Sequence, residues 1–235
     1  MAQQPSDGAA SNSGQSLKDL FRITGASLMV SAALYVWAFV AELLLPAPIL
    51  YSAQAALQFI ASYRTFFILS YALFTAANAL SVVGAFGIYA ATRVHNRSFA
   101  VLGAGTLTVG LVAALMSTTT PALISLSDGY SAAASAADQQ AFEAAALAVS
   151  AANNPLIASA FIGVGVIFVS LAMMGGPFGR GLAYLGLLVG TLNIVRALPF
   201  LAGYPFLTGI VFVGVSSVWI FGVGRKVYRQ TQVIA

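Results

Sequence analysis

Long apolar runs separated by short polar segments dominate the pattern along the chain. Six such runs cover residues 23–45, 65–92, 99–117, 156–174, 182–202 and 206–224. Each is close to the ~20 residues that an α-helix needs to cross a hydrocarbon core of about 30 Å. Only helices and closed barrels satisfy every backbone group in lipid, and barrel strands alternate over about 10 residues instead. The pattern predicts an all-α polytopic membrane protein with six transmembrane helices in one bundle.

Polar segments at both ends of the chain bound this transmembrane domain. Residues 1–17 are rich in Ser, Gly and Gln and lack an apolar period, which predicts a disordered cytoplasmic tail. Residues 230–235 form a short C-terminal tail, so the predicted transmembrane domain covers residues 18–229.

Two segments between the apolar runs are longer than turns. Residues 46–63 carry apolar side chains at helical spacing, which predicts a short helix on the outer membrane surface. Residues 121–155 are Ala-rich and contain Asp128, Asp138 and Glu143, so they form the acidic part of the outer face. The pattern leaves two interpretations of this second segment, a solvated cap or a surface on which a partner docks.

The basic residues lie in alternate loops, which predicts the orientation in the membrane. Arg64 is on the outer side when the N-terminus is inside, and Arg196 is within a helix. The inner side then holds Lys18, Arg22, Arg93, Arg97, Arg180, Arg225, Lys226 and Arg229. Both termini are therefore expected in the cytoplasm. The expected location of the protein is the plasma or inner membrane of the cell.

Composition supports the membrane prediction and removes several function classes. Of the 235 residues, 60% are hydrophobic and only 7% are charged, whereas a soluble domain has about 25% charged residues. The net charge of +4 does not indicate nucleic-acid binding, because the basic residues do not cluster as a binding groove requires. The chain has no cysteine, which excludes disulfides, thiol catalysis and Cys-ligated metals.

Two ionisable residues, Glu42 and Arg196, stand inside the apolar runs. Both are near the outer ends of their predicted helices, and at 1.5 Å per residue their depths differ by about 5 Å. Charged groups at membrane depth usually face the interior and pair, so we predict a buried Glu42–Arg196 ion pair. Two alternatives for Glu42 stay open: a carboxylate that reaches interfacial water, or a proton or ligand site.

Polar residues in three of the predicted helices indicate a polar interior. Ser31 and Tyr35 share a stripe with Glu42 in the first helix, Asn78 lies in the second, and Asn193 lies in the fifth. If these stripes converge, they form either a packed hydrogen-bonded core or a small wet cavity.

Residue types that carry catalytic or metal chemistry are sparse. His95, the single histidine, lies in a short basic turn, and no His and carboxylate cluster has metal-ligand spacing. The glycines lie inside apolar helices, where Gly186 and Gly190 predict close helix packing rather than a phosphate loop. Trp219 falls near a predicted membrane boundary, which favours interfacial anchoring. We expect no catalytic residues, no metal and no cofactor.

The turns between the apolar runs have distinctive compositions. A long second helix ends in a basic turn at residues 91–97, an Ala-rich outer segment follows the third, and a Pro-Phe-Gly-Arg turn at residues 177–180 precedes the fifth. The chain resembles a family of uncharacterised prokaryotic integral membrane proteins with about six helices, classed as a domain of unknown function. The resemblance covers residues 23–229. It implies the six-helix fold, and it implies no catalytic or binding residue.

These patterns favour a non-enzymatic membrane protein. The first expectation is an accessory, scaffold or binding subunit that contacts the lipid bilayer and other membrane-protein subunits, with no nucleic acid. The alternative is a small solute or proton transporter or channel that uses Glu42 and Arg196. A third hypothesis is an intramembrane enzyme with general acid–base chemistry at Glu42, for which the sequence offers no second catalytic group.

Overall fold

The described part of the protein is almost entirely helical. The computed structural model describes residues 7–44, 52–152, 155–197 and 205–233. In chain order its helices are α1 (Asp7–Leu43), α2 (Ala53–Ser62), α3 (Arg64–Thr92), α4 (Arg97–Met116), α5 (Thr120–Ala132), α6 (Ala136–Ala152), α7 (Pro155–Met173), α8 (Arg180–Arg196) and α9 (Pro205–Val233). The predicted all-α class is confirmed.

Three stretches of these helices are long and apolar enough to cross a membrane: Gln15–Ala41, Arg64–Thr92 and Arg97–Ala132. The third includes the break between α4 and α5, and Ile157–Met173 is a shorter apolar helix. Large hydrophobic side chains also lie on the exterior, among them Trp37, Phe86 and Met116. An exterior of this kind suits contact with hydrocarbon.

The bounds of α1 differ most from the sequence prediction. The helix begins at Asp7 and so includes residues 7–17, which the sequence predicts to be a disordered tail. Nucleation is the costly step of helix formation, whereas each further residue adds one hydrogen bond to an existing helix. The apolar run supplies that nucleus, and Leu17 packs against the buried core.

The two C-terminal core helices also end at other places than predicted. The predicted fifth helix reaches residue 202, but α8 ends at Arg196. Pro199 accounts for an early end, because the residue before a proline disfavours helical geometry. Residues 198–204 lie outside the described part of the chain. Helix α9 continues to Val233, well beyond the predicted residue 224.

Six helices, α1, α3, α4, α7, α8 and α9, form the main packed region, and we call them the core helices. Helix α1 packs against α3 and α9, while α7 packs against α4 and α8. Their largest shared core contains Phe21, Leu28, Ile88, Leu107, Val169, Met173, Trp219, Val223 and Val227. Most of this core lies towards the end of the molecule that carries Arg22, Arg93 and Arg225, which we call the basic end.

Glycines let the core helices approach backbone to backbone. A Cβ atom added at Gly25 of α1 would lie 2.6 Å from the backbone nitrogen of Tyr228 in α9. One added at Gly103 of α4 would lie 2.6 Å from the backbone nitrogen of Val169 in α7. Gly190 of α8 meets α7 in the same way, so the close packing expected of this glycine is present.

Helices α2, α5 and α6 pack together at the opposite end of the molecule, which we call the cap end. Their own small core consists of Leu57, Tyr130 and Ala146. An exposed ion pair joins the cap to α3, with the Arg64 Nε atom 2.9 Å from the Asp128 Oδ1 atom. Solvent screens exposed pairs of this kind, so the ion pair orients the cap more than it stabilises it.

Candidate functional site

A cavity of about 570 Å³ lies between the core helices, and all six contribute to its lining. It extends from Ser117 and Thr120 at the cap end to Leu28 and Ile88. Along α4 the lining runs from Leu107 to Ser117, which at 1.5 Å per residue is about 15 Å. Pockets for small organic molecules typically measure about 300–1,000 Å³.

The cavity does not continue to the basic end. Beyond its deepest lining residues on α7 and α9, the side chains of Val169, Met173, Val223 and Val227 are completely buried. These side chains belong to the shared core of the core helices. The cavity therefore lies towards the cap end of the molecule, and packed side chains close it at the basic end.

The predicted polar residues of the first two apolar runs lie at the contact between α1 and α3. The Ser31 hydroxyl donates to the Ala77 carbonyl at 2.8 Å and shares a hydrogen bond of 2.7 Å with the Ser81 hydroxyl. The Tyr35 hydroxyl donates to the Asn78 Oδ1 atom at 2.9 Å. Tyr35 and Asn78 line the cavity, whereas Ser31 is buried between the two helices.

Asn193 lines the cavity from α8 and is 2% exposed. Its Nδ2 atom donates to the Val189 carbonyl at 2.9 Å, within its own helix. The structure therefore places Tyr35, Asn78 and Asn193 around one cavity, although they come from three different helices.

Arg196 also lines the cavity, but not at the depth that the sequence predicts. It is the last residue of α8 instead of lying about six residues inside the helix. There its positive charge is favourable to the helix dipole. Its guanidinium carbon lies 4.6 Å from the ring centroid of Phe212, which is cation–π geometry.

The predicted ion pair between Glu42 and Arg196 stays a prediction. The backbone of Glu42 belongs to α1, but its side chain lies outside the described part of the structure. Arg196 is the one charged residue among the described residues that line the cavity. The remaining lining is apolar apart from neutral hydroxyl, amide and indole groups.

One turn of α9 adds polar groups that the sequence reasoning missed. The Ser216 and Ser217 hydroxyls and the Trp219 Nε1 atom are buried without a hydrogen-bond partner, and all three residues line the cavity. Trp219 is 3% exposed, so its indole is buried in the core and does not anchor the helix at the membrane boundary. A Cβ atom added at Gly186 would lie 2.5 Å from its Nε1 atom.

Two features of the sequence are related to the buried position of Trp219. Gly186 in α8 leaves space beside the Trp219 ring, and adjacent serines interrupt the apolar face of α9. Sequence alone does not show which helices are neighbours. The packing of the Trp219 ring against Gly186 could therefore not be predicted without the fold.

The described residues contain no group of three or more His, Asp or Glu side chains arranged to hold a metal ion. No protein-family model, curated protein or solved structure matches the chain. The resemblance to the six-helix family of unknown function stays a prediction. The geometry of the cavity is therefore the strongest functional observation that the molecule offers.

Proposed function

We propose that each core helix crosses the cell membrane and that both termini lie in the cytoplasm. Three apolar stretches have the length for this, and the exterior of the helices is apolar. The basic residues concentrate at one end of the molecule, which the positive-inside rule assigns to the cytoplasm. The cap helices then lie on the outer side.

We propose that the protein is a non-enzymatic binding protein that holds a small, largely apolar molecule in the cavity. The observation that carries this proposal is the cavity itself, about 570 Å³ in volume and bounded by all six core helices. Its lining is mostly apolar with a few polar groups, which is the usual composition of a small-molecule site.

Filling the cavity with a larger side chain tests this function. Ala114 of α4 lines the cavity, whereas Val112 of the same helix is exposed on the exterior. We expect Ala114→Trp to occupy the space of the ligand and Val112→Trp to leave it open. Both variants and the wild type are purified from native membranes in gentle detergent, and their small-molecule extracts are compared by mass spectrometry.

The expected result is a molecule retained by the wild type and by Val112→Trp, and lost from Ala114→Trp. Size-exclusion profiles and thermal unfolding establish that Ala114→Trp is folded. Equal retention by all three proteins, or retention by none, would contradict binding in the cavity.

An accessory role is the second candidate, and the cap favours it. Helices α2, α5 and α6 have a core of their own and carry exposed apolar side chains such as Leu147, which is 61% exposed. The same purification identifies stoichiometric protein partners. Replacing residues 121–155 by a Gly/Ser linker should release such a partner, and unchanged assembly would count against docking on the cap.

The alternative of a small solute or proton transporter that uses Glu42 and Arg196 requires a further opening. Arg196 already lines the cavity, but the packed side chains at the basic end separate the cavity from that side. Transport would need a second arrangement of the core helices in which this packing separates. Binding without transport needs no such arrangement, so we rank it first.

A further inference from the structure

Two asparagines line the cavity, and their amide groups differ in the hydrogen bonds that they make. Both amide atoms of Asn78 are bonded within the protein, since Oδ1 accepts from the Tyr35 hydroxyl and Nδ2 donates to the Phe74 carbonyl. In Asn193 the Nδ2 atom donates to the Val189 carbonyl. No donor among the described residues pairs with the Asn193 Oδ1 atom. One of the two amides is therefore complete, and the other has an acceptor to spare.

The bond to Val189 also fixes the orientation of the Asn193 amide. The nitrogen and the oxygen of an amide are similar in size, but only the nitrogen can donate to a carbonyl. The Nδ2 atom consequently lies on the side of the helix backbone, 2.9 Å from the Val189 carbonyl oxygen. The Oδ1 atom is on the opposite side of the amide, away from that carbonyl.

The surroundings of Asn193 leave its Oδ1 atom facing the cavity. Asn193 is 2% exposed and lines the cavity. Helix α7 packs closely beside it, because a Cβ atom added at Gly163 would lie 3.1 Å from the Asn193 Cβ atom. The unpaired Ser216 and Ser217 hydroxyls are enclosed on all sides, whereas the Asn193 Oδ1 atom is not. The small surface that remains to this buried side chain therefore belongs to the cavity.

The chemistry of this atom narrows the ligand. An amide oxygen accepts hydrogen bonds and cannot donate, so the group opposite it must be a donor, such as a hydroxyl or an N–H group. A buried ammonium would need a negatively charged partner. The described lining contains no carboxylate, and its charged residue, Arg196, is positive. An uncharged donor fits this position.

We propose that the cavity binds an apolar molecule that carries an uncharged hydroxyl or N–H group, which donates a hydrogen bond to the Asn193 Oδ1 atom. This inference rests on the proposed binding function and names the chemical class of its ligand, with an apolar alcohol as the simplest case. The apolar body of the molecule packs against cavity residues such as Leu111, Ile162 and Val166.

The test compares menthol with menthone, two terpenes that have the same carbon skeleton and an oxygen on the same carbon. Only menthol can donate a hydrogen bond. Binding of each to the full chain in lipid nanodiscs is measured by titration, and nanodiscs with Ala114→Trp give the background of partitioning into lipid. We expect the wild type to bind menthol about fivefold more tightly than menthone, the net value of one hydrogen bond.

The chain offers a matched control on the same helix. Asn193→Leu removes the acceptor at similar volume, so it should bring the two affinities close to equality. Thr191 is exposed and does not line the cavity, so Thr191→Val should leave the fivefold preference unchanged. Asn193→Asp keeps an acceptor oxygen at this position and should keep the preference for menthol. Size-exclusion profiles and thermal unfolding establish that the variants are folded.

Equal affinity for menthol and menthone, or tighter binding of menthone, would overturn the donor proposal while leaving the binding function intact. A preference for menthol that persists in Asn193→Leu would assign the bond to another group and also overturn it. The same holds if Thr191→Val loses the preference as fully as Asn193→Leu. If neither terpene binds the wild type above background, the binding function itself fails.

Discussion

Two buried serines have opposite energetic roles. Ser31 bridges α1 and α3 through the Ala77 carbonyl and the Ser81 hydroxyl. Ser217 is equally buried, but its hydroxyl has no partner. A hydrogen bond between membrane helices contributes about 0.6 kcal/mol on average and at most about 1.7 kcal/mol. The Ser31 hydroxyl therefore stabilises the fold, whereas the unpaired Ser217 hydroxyl destabilises it.

Substitution by alanine should separate the two roles in ligand-free protein. Ser31→Ala is expected to lower the free energy of unfolding by about 1 kcal/mol, because the bonds between α1 and α3 are lost. Ser217→Ala is expected to raise it by about 1 kcal/mol, because an unpaired buried hydroxyl is removed. Equilibrium unfolding in mixed detergent micelles measures both, and a loss of stability in Ser217→Ala would mean that its hydroxyl is already satisfied.

The sequence points to individual polar residues but not to their hydrogen-bond partners. The sequence identified Tyr35, Asn78 and Asn193 because polar side chains are conspicuous in apolar runs. It could not identify the bond between Tyr35 and Asn78, which joins residues of different helices. Trp219 was misplaced for the same reason, since an aromatic residue near a helix end has the same local pattern whether it anchors the helix or packs inside.

At the scale of elements, the helices are held together by contacts between backbones. Gly103 of α4 lies against the backbone of Val169 in α7, and the neighbouring Gly105 has open space where a Cβ atom would be. The two glycines differ in what surrounds them although they belong to the same helix. Sequence spacing suggests that such glycines pack helices together, but it does not say which of two does so.

Alanine substitutions at these two positions should have effects of opposite sign. Gly103→Ala places a Cβ atom 2.6 Å from a backbone nitrogen, so α4 and α7 must separate. We expect a loss of about 1–3 kcal/mol in the free energy of unfolding. Gly105→Ala should be neutral or stabilise by up to about 1 kcal/mol, because alanine favours the helix. Thermal unfolding of the two variants provides the comparison, and equal effects would mean that α4 and α7 are not in close contact.

Helix ends were less predictable than helix existence. Apolar periodicity marks where a helix must be buried, but not how far it continues into water. Helix α9 extends beyond its apolar run through Arg225 and Arg229, which are good helix formers. Helix α8 stops early, before Pro199, which places Arg196 at the helix end.

For the whole molecule, the proposed orientation can be tested directly because the chain has no native cysteine. His95 lies in the turn between α3 and α4 at the basic end, and Ala137 lies in α6 of the cap; both are exposed. In intact cells a membrane-impermeant thiol reagent should label Ala137→Cys and not His95→Cys. Both should react after permeabilisation, and the reverse pattern would contradict the orientation.

The fold class was predictable from sequence because lipid allows few solutions to backbone hydrogen bonding. The cavity was not predictable, because it depends on how six helices fit together rather than on any one of them. The sequence left a packed core and a small wet cavity as alternatives. The structure has an apolar packed core at the basic end and a cavity that extends to the cap end.

The packed basic end also decides where a membrane voltage would act. In the proposed orientation, a water-filled cavity would bring the outer potential to the middle of the molecule. The voltage then falls mainly across the buried side chains around Met173 and Val227. An elementary charge that crosses the whole drop changes in energy by about 2.3 kcal/mol per 100 mV. A charge that only enters the cavity crosses little of this drop, and an uncharged ligand is not affected by it. The membrane voltage should therefore leave occupancy unchanged, and it would drive or oppose only the passage of a charge through the packed region.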